Sequence, residues 1–248
     1  MPNGVKKILK TVFKKQYLII IFAIILYFIV FSYISVWKYQ NFQYNSMDLA
    51  IINQAFFNST QGNWLASSIH PPSYLGDHFT PILFLLLPIY FLFQSPITIL
   101  ILQTAALALA AWPLYLITKK VLSKNWALFI SLAWLSNPLV QNVNLFEFHF
   151  LSFAAFFIFW TFHFYQNKKF LPFILFGLLA LLVREDVAFI IAMFGVLAIF
   201  DKRKIKWLVT PIILSVLYFI FAIKLSSWIA PSEQYKFLLY ILGLGALG

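Results

Sequence analysis

The chain has 248 residues, of which 62% are hydrophobic and 10% charged, with 18 Lys and Arg against seven Asp and Glu and a net charge of +11. A soluble domain carries roughly 25% charged residues, so that class is excluded, and the absence of cysteine excludes a disulfide framework and a thiolate metal site. The positive charge lies in short loops between apolar runs, which is the pattern of membrane topology and argues against nucleic acid as a partner.

The N-terminus opens on Lys6, Lys7, Lys10, Lys14 and Lys15 and passes into an apolar run over 17–36. About twenty apolar residues make a helix that crosses roughly 30 Å of hydrocarbon. No small-residue cleavage site follows, so the run reads as an uncleaved first span. Further candidate spans cover 97–118, 126–144, 150–166, 170–184, 186–200 and 207–229. They are continuously apolar rather than alternating, which selects helices over a membrane barrel. The polar stretch 37–78 forms an outer loop, in which apolar positions from 47 to 57 fall at helical spacing and predict an amphipathic helix on the membrane surface. The run 79–93 is short and holds Pro81 and Pro88; it reads as a re-entrant or interfacial helix. The fold class is all-α, a single polytopic membrane domain over 1–248.

Four clusters, at 6–15, 119–124, 168–169 and 202–206, hold 14 of the 18 basic residues. Loops of that kind stay in the cytoplasm. The cation-poor segments 37–78, 137–149, 184–186 and the tail after 229 alternate with them and fall outside. This places the N-terminus in the cytoplasm of a plasma-membrane protein. It also gathers six of the seven acidic residues, Asp48, Asp77, Glu147, Glu185, Asp186 and Glu233, on the outer face. Only Asp201 stays with the basic loop 202–206. Buried carboxylates in apolar spans are costly, so such a gathering points to a site.

Each outward group has two readings. Asp48 opens the surface helix, where its charge meets the helix dipole; the same placement suits a general base. Gly76-Asp77-His78-Phe79-Thr80-Pro81 is a turn before an apolar run, and Asp77 and His78 could also bind hydrogen-bonding partners or a cation. His70-Pro71-Pro72 reads as a stiff loop. Glu147 and His149 either accompany an aromatic belt (Phe146, Phe148, Phe150) or line a polar cavity; in extended backbone they point the same way. Arg184 either joins a solvated connection with Glu185 and Asp186 or grips an anion, for which its fork is suited. His163, in an aromatic run, reads as structural.

Four stretches together, Asp48 to Gln54, Tyr74 to Leu83, Asn144 to His149 and Leu182 to Asp186, resemble a prokaryotic family of multi-spanning proteins that carries a domain of unknown function and is grouped with the GT-C membrane glycosyltransferases. The resemblance covers most of 40–200. It implies a GT-C-like fold and transfer of a sugar from a polyprenyl-phosphate donor to an acceptor at the outer face. In that superfamily the first outer loop carries a catalytic acidic residue, and Asp48 matches its place. In the protein mannosyltransferase and lipid A aminoarabinose transferase branches a basic residue or His and two prolines open the next helix. His78-Phe79-Thr80-Pro81 is similar but lacks the first proline. In the aminoarabinose branch a Lys contacts the lipid phosphate, and Arg184 after Leu182-Val183 resembles it, with Arg in place of Lys. The expected roles are then Asp48 as base, Asp77, His78, Glu147 and His149 positioning the acceptor or a cation, and Arg184 holding the donor phosphate. No cofactor is required, although the carboxylate and imidazole set could take a divalent cation, Mg or Mn. The chain departs from the superfamily in having fewer spans, and it stops inside an apolar run from 237, which reads as an incomplete C-terminus. The alternative function is a non-enzymatic membrane transporter or binding protein. Transport needs polar groups near the bilayer midplane, whereas these sit at span ends.

Overall fold

The computed structural model describes residues 3–44 and 47–230, with side chains from residue 15 onward. Glu233 and the apolar run from 237 lie outside the described residues. All regular structure among the described residues is helical: α1 (Asn3–Gln40), α2 (Met47–Thr60), a 3-10 turn (Tyr74–Gly76), α3 (Ile82–Leu92), α4 (Pro96–Thr118), α5 (Lys124–Ser136), α6 (Pro138–Phe146), α7 (Leu151–Gln166), α8 (Phe170–Leu181), α9 (Val187–Phe200) and α10 (Ile205–Ile229). Among the described residues three stretches are long and apolar enough to cross a membrane: Lys15–Gln40, Pro96–Thr118 and Ile205–Ile229. At 1.5 Å per residue the shortest of them reaches about 35 Å, beyond the ~30 Å of a hydrocarbon core.

The helices fall into two compact units, Met1–Asn45 with Leu100–Phe173, and Ser46–Ile99 with Ile174–Gly248. The core of the first unit joins Ile20, Ile24 and Tyr27 of α1, Leu107, Ala108, Ala111 and Tyr115 of α4, Ala127 and Leu135 of α5 and Val140 of α6. α7 adds Phe159, edge-on to Trp134 at 5.2 Å. Polar links mark its two ends. At one, Lys119 Nζ donates to the Tyr17 hydroxyl at 2.7 Å and Gln16 Nε2 to Asn125 Oδ1 at 2.7 Å. At the other, Lys38 Nζ donates to the Leu145 carbonyl at 2.6 Å. α1 therefore runs alongside α5 and α6 in the same sense, and α4 returns against it.

The expected span 126–144 is broken. Asn137 takes an extended conformation between α5 and α6, its side chain accepts the Leu139 N–H at 2.9 Å, and Pro138 opens α6. The physical reason is local. Pro138 has no N–H to continue the α5 ladder, and an Asn before it is a strong cap for a new helix. The expected span 170–184 also ends early, α8 stopping at Leu181.

In the second unit α2 buries Leu49, Ile52, Phe56 and Ser59, an i, i+3, i+7, i+10 stripe, and exposes Met47, Asp48 and Phe57. This is the amphipathic pattern expected of 47–57. Its buried face meets α3: Phe56 stacks on Tyr90 at 5.0 Å, and the Tyr90 hydroxyl donates to Asn53 Oδ1 at 2.7 Å. α9 and α10 approach closely at Gly195, where a Cβ would lie 2.5 Å from Ile212 Cγ1. Small residues permit such close helix contact in lipid, where packing replaces the hydrophobic effect as the driving force. Three further links bring helix ends together: the Ile82 N–H donates to the Leu182 carbonyl at 2.8 Å, Ser226 Oγ donates to the Leu75 carbonyl at 2.7 Å, and Phe79 packs on Tyr218 and Phe221 of α10.

Candidate functional site

The linked helix ends of the second unit carry a cluster of ionisable side chains. The end of α8, the turn 182–186 and the start of α9 supply Arg184, Glu185 and Asp186; the loop from the 3-10 turn to α3 supplies Asp77 and His78. Gly76 allows this loop to seat against α10, because a Cβ there would collide with the Ala230 side chain.

Glu185 is 1% exposed, and both of its oxygens are used. Oε1 accepts from His78 Nδ1 at 3.0 Å, and Oε2 accepts the Phe79 N–H at 3.0 Å. The carboxylate thus fixes both the ring and the backbone that enters α3. Beyond His78, carboxylate and imidazole groups continue in alternation. His78 Nε2 lies 3.9 Å from Asp77 Oδ2, and Asp77 Oδ1 lies 3.8 Å from His70 Nδ1. Burial alone would push the His78 imidazole down, but the Glu185 hydrogen bond and charge, with Asp77 behind them, hold it above the usual histidine value.

Arg184 makes a bidentate fork with Asp186. Nε donates to Oδ1 at 2.8 Å and Nη2 donates to Oδ2. Burial works against the charged guanidinium, and the Asp186 bonds, supported by Glu185 and the Tyr74 hydroxyl, more than offset it, so its basicity is raised. A guanidinium has five N–H donors; the fork with Asp186 engages the Nε and Nη2 side and leaves the Nη1 edge for another anion.

Asp48 stands exposed on the first turn of α2. It is near enough to Tyr74 to act on it. Burial raises the Tyr74 hydroxyl far above its usual value, and the charges of Asp77, Asp48 and Glu185 add to the effect, against a smaller pull from Arg184. Asp48, Asp77, Glu185 and Arg184 therefore act on one buried group, Tyr74, and the His78 N–H donates to the Tyr74 carbonyl at 3.3 Å.

Glu147 and His149 belong to the first unit. Glu147 is buried, in an extended conformation that closes α6. The segment is held by Gln103 of α4, whose Nε2 donates to the carbonyls of Val143 (3.2 Å), Asn144 (3.2 Å) and Glu147 (2.8 Å) and whose Oε1 accepts the His149 N–H. Asn144 Oδ1 accepts from Thr104 Oγ1 at 2.9 Å, and the His149 ring stacks on Phe146 at 5.5 Å. Burial raises the nearby Tyr44 hydroxyl; the Ser35 side chain opposes the shift and the Glu147 charge adds to it.

Of the two readings of 184–186, the solvated connection does not hold for Glu185, which is the most buried acid of the cluster. The signal was available: a connection of only five residues, 182–186, between two apolar helices turns at least one side chain inward. His70, read as part of a stiff loop, joins the cluster through Asp77. Gln103 and Tyr74 gave no sign in the sequence beyond their polarity. Among the described residues no three His, Asp or Glu side chains converge to hold a metal ion.

No curated protein and no solved structure matches the chain. The family described as "Predicted membrane protein (DUF2079)" matches residues 38–237, from the end of α1 past the end of α10, and takes in every site residue above. Its extent, with the apolar helices and the polar cluster at their ends, makes this chain a member of the DUF2079 family of membrane proteins.

Proposed function

We propose that the protein is a GT-C-like glycosyltransferase that moves a sugar from a polyprenyl-phosphate donor to an acceptor hydroxyl at the outer face of the plasma membrane. The observation that carries the reading is the neighbourhood of Asp48, Asp77, His78 and Arg184 around Tyr74, at the ends of apolar helices rather than midway along them. Asp48 is exposed on a rigid helix and takes the acceptor proton as the hydroxyl oxygen attacks the anomeric carbon. The bond from that carbon to the donor phosphate oxygen breaks, and its electron pair stays on the phosphate. Arg184, held rigid by Asp186, turns its Nη1 edge to the phosphate and stabilises the charge that develops there. Asp77 and His78 position the acceptor. Glu147 and His149, expected to share that positioning, belong to the first unit and are given no step in this proposal.

The orientation is supported by the first unit. Lys119, Lys120 and Lys169 all act on His163 and share the end at which Lys119 meets Tyr17; Glu147 belongs to the opposite end, with Lys38 and Tyr44. With the basic end cytoplasmic, the N-terminus is inside and the polar end of this unit is outside.

In reconstituted vesicles, Asp48→Asn is expected to lower transfer from a polyprenyl-phosphate sugar by at least about a hundredfold, the usual span for loss of a general base, with an unchanged helical spectrum. Full transfer by that variant removes Asp48 as the base. Movement of the intact sugar lipid across the membrane without transfer would favour the transporter.

A further inference from the structure

We infer that Glu185 is a positioning residue for the proposed transfer: it holds the His78 ring in one orientation, with Nδ1 turned inward and Nε2 presented toward Asp77 and the acceptor. The inference rests on the transferase reading for its purpose but not for its geometry.

Three observations carry it. Glu185 is 1% exposed and spends its two oxygens on adjacent groups of a single loop, the His78 ring and the Phe79 N–H, each at 3.0 Å. A carboxylate placed only to start α9 would have been left toward solvent, as Asp186 partly is. Secondly, the neighbouring cation acts on it through its charge and not through its fork. Arg184 spends the fork on Asp186, so the side chain that hydrogen-bonds Glu185 is the imidazole. Thirdly, the two ring nitrogens face different carboxylates, Nδ1 toward Glu185 at 3.0 Å and Nε2 toward Asp77 at 3.9 Å. The first contact is a hydrogen bond and the second is too long for one. Nδ1 is therefore turned to the buried carboxylate, and Nε2 to Asp77 on the part-exposed side of the ring.

The charged and titratable groups facing His78 come from every packed element: Asp77 and Tyr74 from its own loop, with His70 beyond Asp77; Arg184 and Glu185 from the turn between α8 and α9; Tyr218 of α10 behind Phe79; and Asp48 of α2 across Tyr74. Two carboxylates act directly on the ring against one cation, and the nearer carboxylate is hydrogen-bonded. The balance favours the charged form of the ring more than in an ordinary histidine.

The test is an NMR titration of His78 in full-length protein in nanodiscs, with labelled histidine and a His78→Gln variant to assign the signal. The wild-type midpoint should lie above the ordinary value of about 6.5. Glu185→Gln keeps an acceptor for the Phe79 N–H and removes the charge, and should lower the midpoint by about one unit or more, the effect of one adjacent carboxylate. Asp77→Asn should lower it less. A wild-type midpoint at or below about 6.5, or one unmoved in Glu185→Gln, overturns the inference. Should the Gln variant not fold, Glu185→Asp keeps the charge and should keep the raised midpoint; an ordinary midpoint there also overturns it. Transfer assays on the same samples should show the alkaline limb of the kcat/KM profile moving with the midpoint. If wild type transfers no sugar while the midpoint moves as stated, the transferase reading fails and the clamp of Glu185 on His78 stands by itself.

Discussion

His78 shows how burial and pairing compete at one residue. Burial disfavours its charged form, yet Glu185 at 3.0 Å reverses the sign. The consequence for stability follows from linkage. A group whose value is raised on folding adds stability that is complete below its unfolded value, about 6.5 for histidine, and is lost as the pH climbs through the folded value. The thermal midpoint of wild type in detergent should therefore fall relative to His78→Gln as the pH passes from about 6 to about 9. A difference that is constant across that window would show that the pair contributes no pH-dependent stability. Arg184 behaves differently, since it stays charged at any working pH and its fork with Asp186 orients it rather than titrating.

At the scale of elements, the sharpest departure from the sequence reading is the division of 126–144 into α5 and α6. Hydropathy over that stretch has one long maximum, because Asn137 and Pro138 are outnumbered by apolar neighbours. The break is local chemistry that a window average hides. It depends on the Asn137 side chain accepting the Leu139 N–H, with Gln141 Nε2 donating back to the Leu135 carbonyl at 3.1 Å. Asn137→Ala should cost about 1 kcal/mol, the usual value of an N-cap, and Asn137→Asp should restore most of it. Denaturation of the two variants in detergent checks this, and equal stability would mean that Pro138 alone sets the break. α2 was legible for the opposite reason: its apolar stripe is set by periodicity, which needs no knowledge of partners.

For the whole molecule, the long apolar helices, the apolar stripe of α2 and the clustering of basic residues could be read from sequence, because each depends on composition along the chain. The pairing of Glu185 with His78 could not, because it joins residues 107 positions apart and depends on how α8, α9 and α3 meet. Topology is testable as a unit. Tyr44 and Gln103 both lie near Glu147 at one end of the first unit, so the proposed topology requires an even number of crossings between them. With 11 residues, α3 is about 16 Å long and too short to cross by itself. The chain has no cysteine, so single substitutions report cleanly. Cysteines at the exposed positions Phe42 and Ile69 should react with an impermeant thiol reagent from outside, and those at Lys120, Lys168 and Lys202 only after permeabilisation. External labelling at Lys120 would reverse the arrangement.

The four bonds of Gln103 have a further meaning for an apolar bundle. Leu, Ile and Ala faces slide past one another at little cost, since one rung of methyl groups resembles the next. A single amide that meets three carbonyls and one N–H in a neighbouring segment has only one seat. Moving α4 by one residue would strand all of them where no water can replace the partners. Gln103 thus acts as an index pin, choosing one axial setting of α4 against α6 from many that lipid alone would permit.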